Sequence, residues 1–167
     1  MYRQVVVLST SDRIISCHVK SCDDPRIHLL GSMIEAMAKL NRTFDRSLRD
    51  SVGIGQSWFE ALLRLERSGG HLPMGVLAEQ ISLTSGGVTR LVDKMTEAGL
   101  VSRRACPEDR RVLYVEVTDA GRAVLDEAIE VHLADIDREV MERVSADERK
   151  VIVEVMDRLR STVPAAG

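Results

Sequence analysis

Between residues 28 and 49 the apolar positions Leu30, Met33/Ile34, Met37, Leu40, Phe44 and Leu48 recur in steps of three or four, which places them on one stripe of a helix. Gly53 and Gly55 break that rhythm. A second helix is expected from about residue 56 to 66, with Phe59, Leu62, Leu63 and Leu65 apolar, ending at Ser68-Gly69-Gly70. Residues 1–25 show no helical period and carry Ser9-Thr10-Ser11-Asp12 and Asp23-Asp24-Pro25, the pattern of an irregular extension.

The middle of the chain carries a denser code. Residues 74–81 read as a helix of about two turns and Ser82-Leu83-Thr84-Ser85 as a short polar turn. Val88, Leu91, Val92 and Met95 then form the apolar face of a second helix that stops at Gly99. Thr84 or Ser85 suits the N-cap of that helix, because a hydroxyl there accepts from backbone N–H groups of the first turn. Two β-prone runs follow, Leu100 to Arg104 and Arg111 to Val117, separated by Ala105-Cys-Pro-Glu-Asp-Arg110, a polar, Pro-containing stretch that fits the tip of a hairpin. Helix, turn, helix and hairpin in that order predict a winged module. Beyond Thr118-Asp119-Ala-Gly121, apolar positions stay in helical register from Val124/Leu125 through Ala128/Ile129, His132, Ile136 and Val140 to Val144. A break at Ser145-Ala-Asp147 precedes a last helix with Val151, Val155/Met156 and Leu159. The terminal stripes exceed what one small module can cover, so dimerisation is expected to bury the surplus; mutual packing within a monomer is the alternative.

Composition sharpens this picture. A length of 167 residues fits a single domain, and with 44% apolar but only 3% aromatic residues the core must be built from Leu, Val, Ile, Met and Ala, which favours packed helices over a β-sandwich. The expected fold class is mainly α with a small β-hairpin wing. No apolar run approaches the length of a membrane-spanning helix, and Val5-Val6-Val7-Leu8 is too short for a secretory signal, so a cytoplasmic, membrane-free protein is expected. Cys17, Cys22 and Cys106 form neither a disulfide framework nor a zinc pattern, even with His18 and His28 nearby, and no cofactor or metal is expected. His71 and His132 read as packing residues. There is no phosphate loop, nucleophile elbow or paired-histidine helix, which argues against an enzyme.

Net charge is −3, yet its distribution matters more than its sum: residues 1–70 carry +2, residues 71–118 are neutral and residues 119–167 carry −5. Within the neutral middle the cations cluster as Arg90, Lys94, Arg103, Arg104, Arg110 and Arg111. A helix that enters a major groove needs small or polar residues in its first turn and cations beyond it, and Thr84, Ser85, Gly87, Thr89, Arg90 and Lys94 meet both requirements. The pair Gly86-Gly87 costs roughly 1 kcal/mol per glycine in a helix relative to alanine, so a compensating close approach of backbone to DNA, or tight helix packing, is expected. At the hairpin tip, Asp109, Arg110 and Arg111 offer a guanidinium that could enter a minor groove, with the aspartate holding it.

The run from Met74 to Arg122 resembles the winged helix-turn-helix of the MarR (multiple antibiotic resistance regulator) family, in its Leu-Ala helix, the TRLVDKM core of the second helix, the GLV-x-R-R entry to the wing, the D-R-R tip and the V-x-V-T-D-A-G exit. The resemblance implies a homodimeric transcription regulator, with terminal helices forming the dimer interface and two recognition helices reading a pseudo-palindromic operator in double-stranded DNA. It further implies a repressor relieved by a small lipophilic or phenolic effector, held in a crevice near Trp58 and Phe59. The corresponding division is an N-terminal extension (1–25), a first dimerisation helix (26–52), a DNA-binding lobe (53–118) and C-terminal dimerisation helices (119–163). Two other readings are a thiol-based redox sensor using Cys17 and Cys22, and a winged-helix module that binds protein instead of DNA.

Overall fold

A computed structural model of the chain describes residues 23–81, 85–105 and 112–162. The expectations placed on Cys17, Cys22, Cys106, Thr84, Asp109, Arg110 and Arg111 lie outside these residues. The chain divides into a unit of residues 1–39 and a unit of residues 40–167.

Helix α1 spans Pro25–Val52, starting three residues earlier than the apolar period suggested. The reason is local: the Asp24 carboxylate accepts from the Arg26 backbone N–H at 2.9 Å, and Pro25 fills a first-turn position where no N–H is needed, so Asp-Pro is a helix start and not the end of an irregular segment. In the first unit the α1 side chains Ile27, Leu29, Leu30, Ile34 and Met37 are more than half exposed.

The second unit begins within α1 and continues through α2 (Gln56–Arg67), β1 (His71–Pro73), α3 (Met74–Gln80), α4 (Ser85–Glu97), β2 (Val101–Ala105), β3 (Leu113–Val117), α5 (Asp119–Ile136) and α6 (Ala146–Thr162). The hairpin is present as read, Val101 pairing with Val117 and Ala105 with Leu113. Strand β1 is an addition. Its three residues are too few to show a period, yet they pair antiparallel with β3, Leu72 opposite Val115, to give the sheet order β1-β3-β2. Leu48, Leu62, Leu65, Leu77, Val92, Met95, Val101 and Val115 are buried completely or nearly so, and this core fastens α4 to α2, α3, the sheet and α5. Burial of that many aliphatic side chains, each worth roughly 1.5–3 kcal/mol, is the main source of the unit's stability.

The Thr-Asp-Ala-Gly segment has a steric explanation. The Thr118 hydroxyl donates to the Gly99 carbonyl at 2.7 Å and accepts from the Gly121 N–H at 3.0 Å, so one side chain both caps α5 and holds the end of α4. Gly99 itself has φ +74°, the left-handed stop that a helix C-terminus commonly uses. A Cβ on Gly121 would lie 2.1 Å from the Leu100 carbonyl oxygen, a backbone atom that cannot swing aside.

Past α5 the structure departs from a continuous helical register. The chain widens into a π-helical turn at Asp137–Met141 before α6. Arg149 donates to the Met141 carbonyl at 3.2 Å and to the Val144 carbonyl at 3.1 Å, satisfying acceptors that this turn leaves open. The break at Ser145 is a reciprocal cap: its N–H donates to the Glu148 carboxylate at 2.9 Å and its hydroxyl accepts from the Glu148 N–H at 3.4 Å.

His132 is a packing residue, as expected. Its ring meets Phe44 edge-on at 4.9 Å and Phe59 at 4.8 Å. Burial holds the imidazole below its usual range, and the carboxylates of Asp135 on α5 and Glu60 on α2 offset part of that effect. One turn on, Asp135 is 2% exposed and pairs with Arg138 through one oxygen. Among the described residues, neither its other oxygen nor His132 Nδ1 has a hydrogen-bond partner.

Gly121→Ala should lower unfolding free energy by about 1–3 kcal/mol or more, through overpacking against a fixed backbone atom, read from a urea titration at equal m-value. A second expectation concerns pH. The unfolded chain takes up a proton at His132 more readily than the folded one, so stability present above pH about 6.5 is lost as pH falls through the depressed folded value. His132→Gln should reduce the slope of stability against pH in that window; an unchanged slope would show that the buried ring does not govern it.

Candidate nucleic-acid interface

Helix α4 has two unlike faces. Val88, Val92 and Met95 point inward at 2% exposure or less, with Leu91 packed at the edge of the core, while Gly86, Thr89, Arg90 and Lys94 are exposed. The inward residues fix the rotation of the helix, because a turn about its axis would bring Arg90 or Lys94 into an apolar core. The structure thus brings the expected Thr89, Arg90 and Lys94 together on one outward surface, with Gly87 half-buried beside them and Ser85 opening the helix. Gly86 has no described atom within 4 Å of the place where a side chain would stand. Packing against the described residues therefore does not account for that glycine.

Sequence reading missed the support behind this surface. On β2, Arg103 Nη2 lies 2.5 Å from the Asp93 carboxylate and donates to the Thr89 carbonyl at 3.4 Å, joining the strand to the middle of α4. Its neighbour Arg104 goes to the opposite face of the sheet, where it pairs with Glu116 at 2.6 Å and lies 5.5 Å from the centre of the Tyr114 ring. Ten residues separate Asp93 from Arg103, a spacing with no helical or strand signature, so only the return of the chain through Gly99 makes the pair.

Beside α4 runs an open groove of about 640 Å³, lined by Arg49, Ile54, Ser57 and Trp58 on one side and by Gly87, Arg90, Leu91 and Lys94 on the other. The two rings expected at a crevice part company here. Trp58 lines the groove, whereas Phe59, at 3% exposure, belongs to the core against His132. The start of α2 at this groove is held by Asp45, which accepts from the Gln56 N–H at 2.8 Å; the Arg49 guanidinium, and then that N–H, keep its carboxyl below the usual carboxylate range.

A two-helix reader packed on a three-stranded sheet, with a cationic outward face and a hairpin beside it, defines a winged helix-turn-helix protein. Comparison with known proteins agrees. Residues 52–112 match the sequence model of the MarR family. The HTH-type transcriptional regulator YdgJ of Bacillus subtilis is 32% identical over 127 residues, 74% of each chain. The HTH-type transcriptional repressor YetL of the same organism is 28% identical over 138 residues, covering 82% of this chain and 81% of that protein. The crystal structure of Sco3205, a MarR family transcriptional regulator from Streptomyces coelicolor in complex with DNA, superposes with a TM-score of 0.77 at 26% identity, covering 82% of this chain and 86% of that one. The chain belongs to the MarR family. It is a DNA-binding transcription regulator and not an enzyme. Among the described residues, no helix is long and apolar enough to cross a membrane.

Proposed function

We propose that the protein is a homodimeric repressor that reads a pseudo-palindromic operator with two copies of α4. The observation that carries this reading is the outward face of that helix, where Thr89, Arg90 and Lys94 stand exposed above a buried stripe and Gly86 leaves the first turn open to close approach. Thr84, Ser85 and Gly87, chosen from the sequence, are the further contacts of this reading. Asp109, Arg110 and Arg111 supply the wing contact in a neighbouring minor groove. The likeness to YetL, itself named a repressor, supports repression as the mode of action.

Dimerisation would bury apolar side chains that are exposed in the single chain. Ile27, Leu29, Leu30, Ile34 and Met37 on α1 are 55–64% exposed, and Val151, Ile152, Val153, Met156 and Leu159 on α6 are 40–59% exposed. Exposed apolar side chains grouped on one helix in this way are characteristic of an interface. The groove beside Trp58 supports a small lipophilic or phenolic effector, since a molecule seated there would touch Arg90 and Lys94 and compete with DNA for them.

Gel shift on duplexes from the upstream region of its own gene, across a salt series, tests the DNA reading: affinity should fall steeply with salt as counterions are released. Arg90→Ala should cost roughly 1–3 kcal/mol on the cognate operator and much less on random duplex, whereas Arg111→Ala should weaken both about equally. An unchanged cognate-to-random ratio in Arg90→Ala would move base readout to Thr84, Ser85 or Thr89. Deleting residues 146–167 should yield a monomeric or aggregated species in sedimentation, and a well-folded dimer after that deletion would remove α6 from the interface.

A further inference from the structure

We infer that Arg103 is a positioning residue for DNA recognition: it grips one turn of α4 at Thr89 and Asp93, aims that helix, and cancels the carboxylate in the middle of its outward face. The inference rests on the DNA-binding reading above. At 3.6 residues per turn, Asp93 falls between Thr89 and Arg90 on the side of α4 away from Val88, Val92 and Met95. A bare carboxylate there would face the phosphates that Arg90 and Lys94 attract. Arg103 reaches it from β2 at 2.5 Å and adds a donor bond to the Thr89 carbonyl at 3.4 Å, so the guanidinium holds two points one turn apart. Strand alternation makes this an exclusive assignment: Arg104 is committed to Glu116 and Tyr114 on the other face of the sheet.

The pair is also too wet to be a major prop of the fold. The Arg103 and Asp93 side chains are 31% and 45% exposed, where solvent screening leaves little net stabilisation. Val88, Val92 and Met95, with Leu91 beside them, hold α4 to the core on its inner side. The bridge from β2 adds an attachment on the outward side, and it ties the helix to the hairpin.

The test compares Asp93→Asn, Arg103→Ala and the double variant in the full chain, by fluorescence anisotropy on cognate and random duplexes at one salt concentration, with thermal melts alongside. Simple electrostatics predicts that removing the Asp93 charge strengthens binding to a polyanion. Positioning predicts the opposite sign: Asp93→Asn should lower the cognate-to-random ratio roughly tenfold, Arg103→Ala should do the same, and the double variant should be no worse than Arg103→Ala alone. Melting temperatures should stay near that of the wild type. Tighter or unchanged cognate binding in Asp93→Asn, additive losses in the double variant, or a large fall in melting temperature would each overturn the inference. A wild-type chain that bound no duplex would instead overturn the DNA-binding reading, and this one with it.

Discussion

The first turn of α5 lies directly on the Leu100 carbonyl, and the architecture around α4 follows from that approach. Gly121 has no side chain to hold the two segments apart, and the Thr118 hydroxyl ties them by donating to Gly99 while capping α5. The same few residues end α4, since the Leu100 N–H donates to the Met95 carbonyl at 2.9 Å. Helices α4 and α5 are thus joined at this backbone contact. A displacement of α5 would be felt at the end of α4, because close-packed backbone transmits movement where flexible side chains would absorb it.

Electrostatics in this protein works locally. A net charge of −3 describes a chain whose acid lies in its last third, while the outward side of α4 presents Arg90 and Lys94 with the Asp93 charge matched by Arg103. At physiological salt, exposed charges act over roughly 10 Å, so this local arrangement governs the potential beside α4 more than the net charge of the chain does.

The interior is almost wholly aliphatic, and its polar exceptions cluster on α5. His132 lies against Phe44 and Phe59, and Asp135 lies buried one turn on, just before the chain widens into the π-helical turn. His132 Nδ1 and Asp135 Oδ2, buried without partners among the described residues, cost stability, and π turns recur where function has tolerated such costs. This stretch joins α5 to α6, whose side chains Val151, Ile152, Val153 and Met156 are exposed.

Much of this was legible in the order of residues. The helices α1 to α6, the hairpin, the outward placement of Thr89, Arg90 and Lys94, and the stop at Gly99 all follow from period, turn chemistry and capping, which act over neighbours a few residues apart. Strand β1 was not legible, because three residues show no period and exist as a strand only by pairing with β3. The π turn was not either, since helical apolar spacing runs through it unchanged. Trp58 and Phe59 are adjacent and chemically alike, so only the packing of α2 could send one to a groove and the other to the core. The Asp93–Arg103 bridge is the clearest case: each residue reads as an ordinary surface charge, and the pair exists because the turn at Gly99 folds β2 back beside α4. Local chemistry determined the elements and their faces; the contacts between elements waited on the fold, because contacts between elements depend on distances that the linear order of residues does not contain.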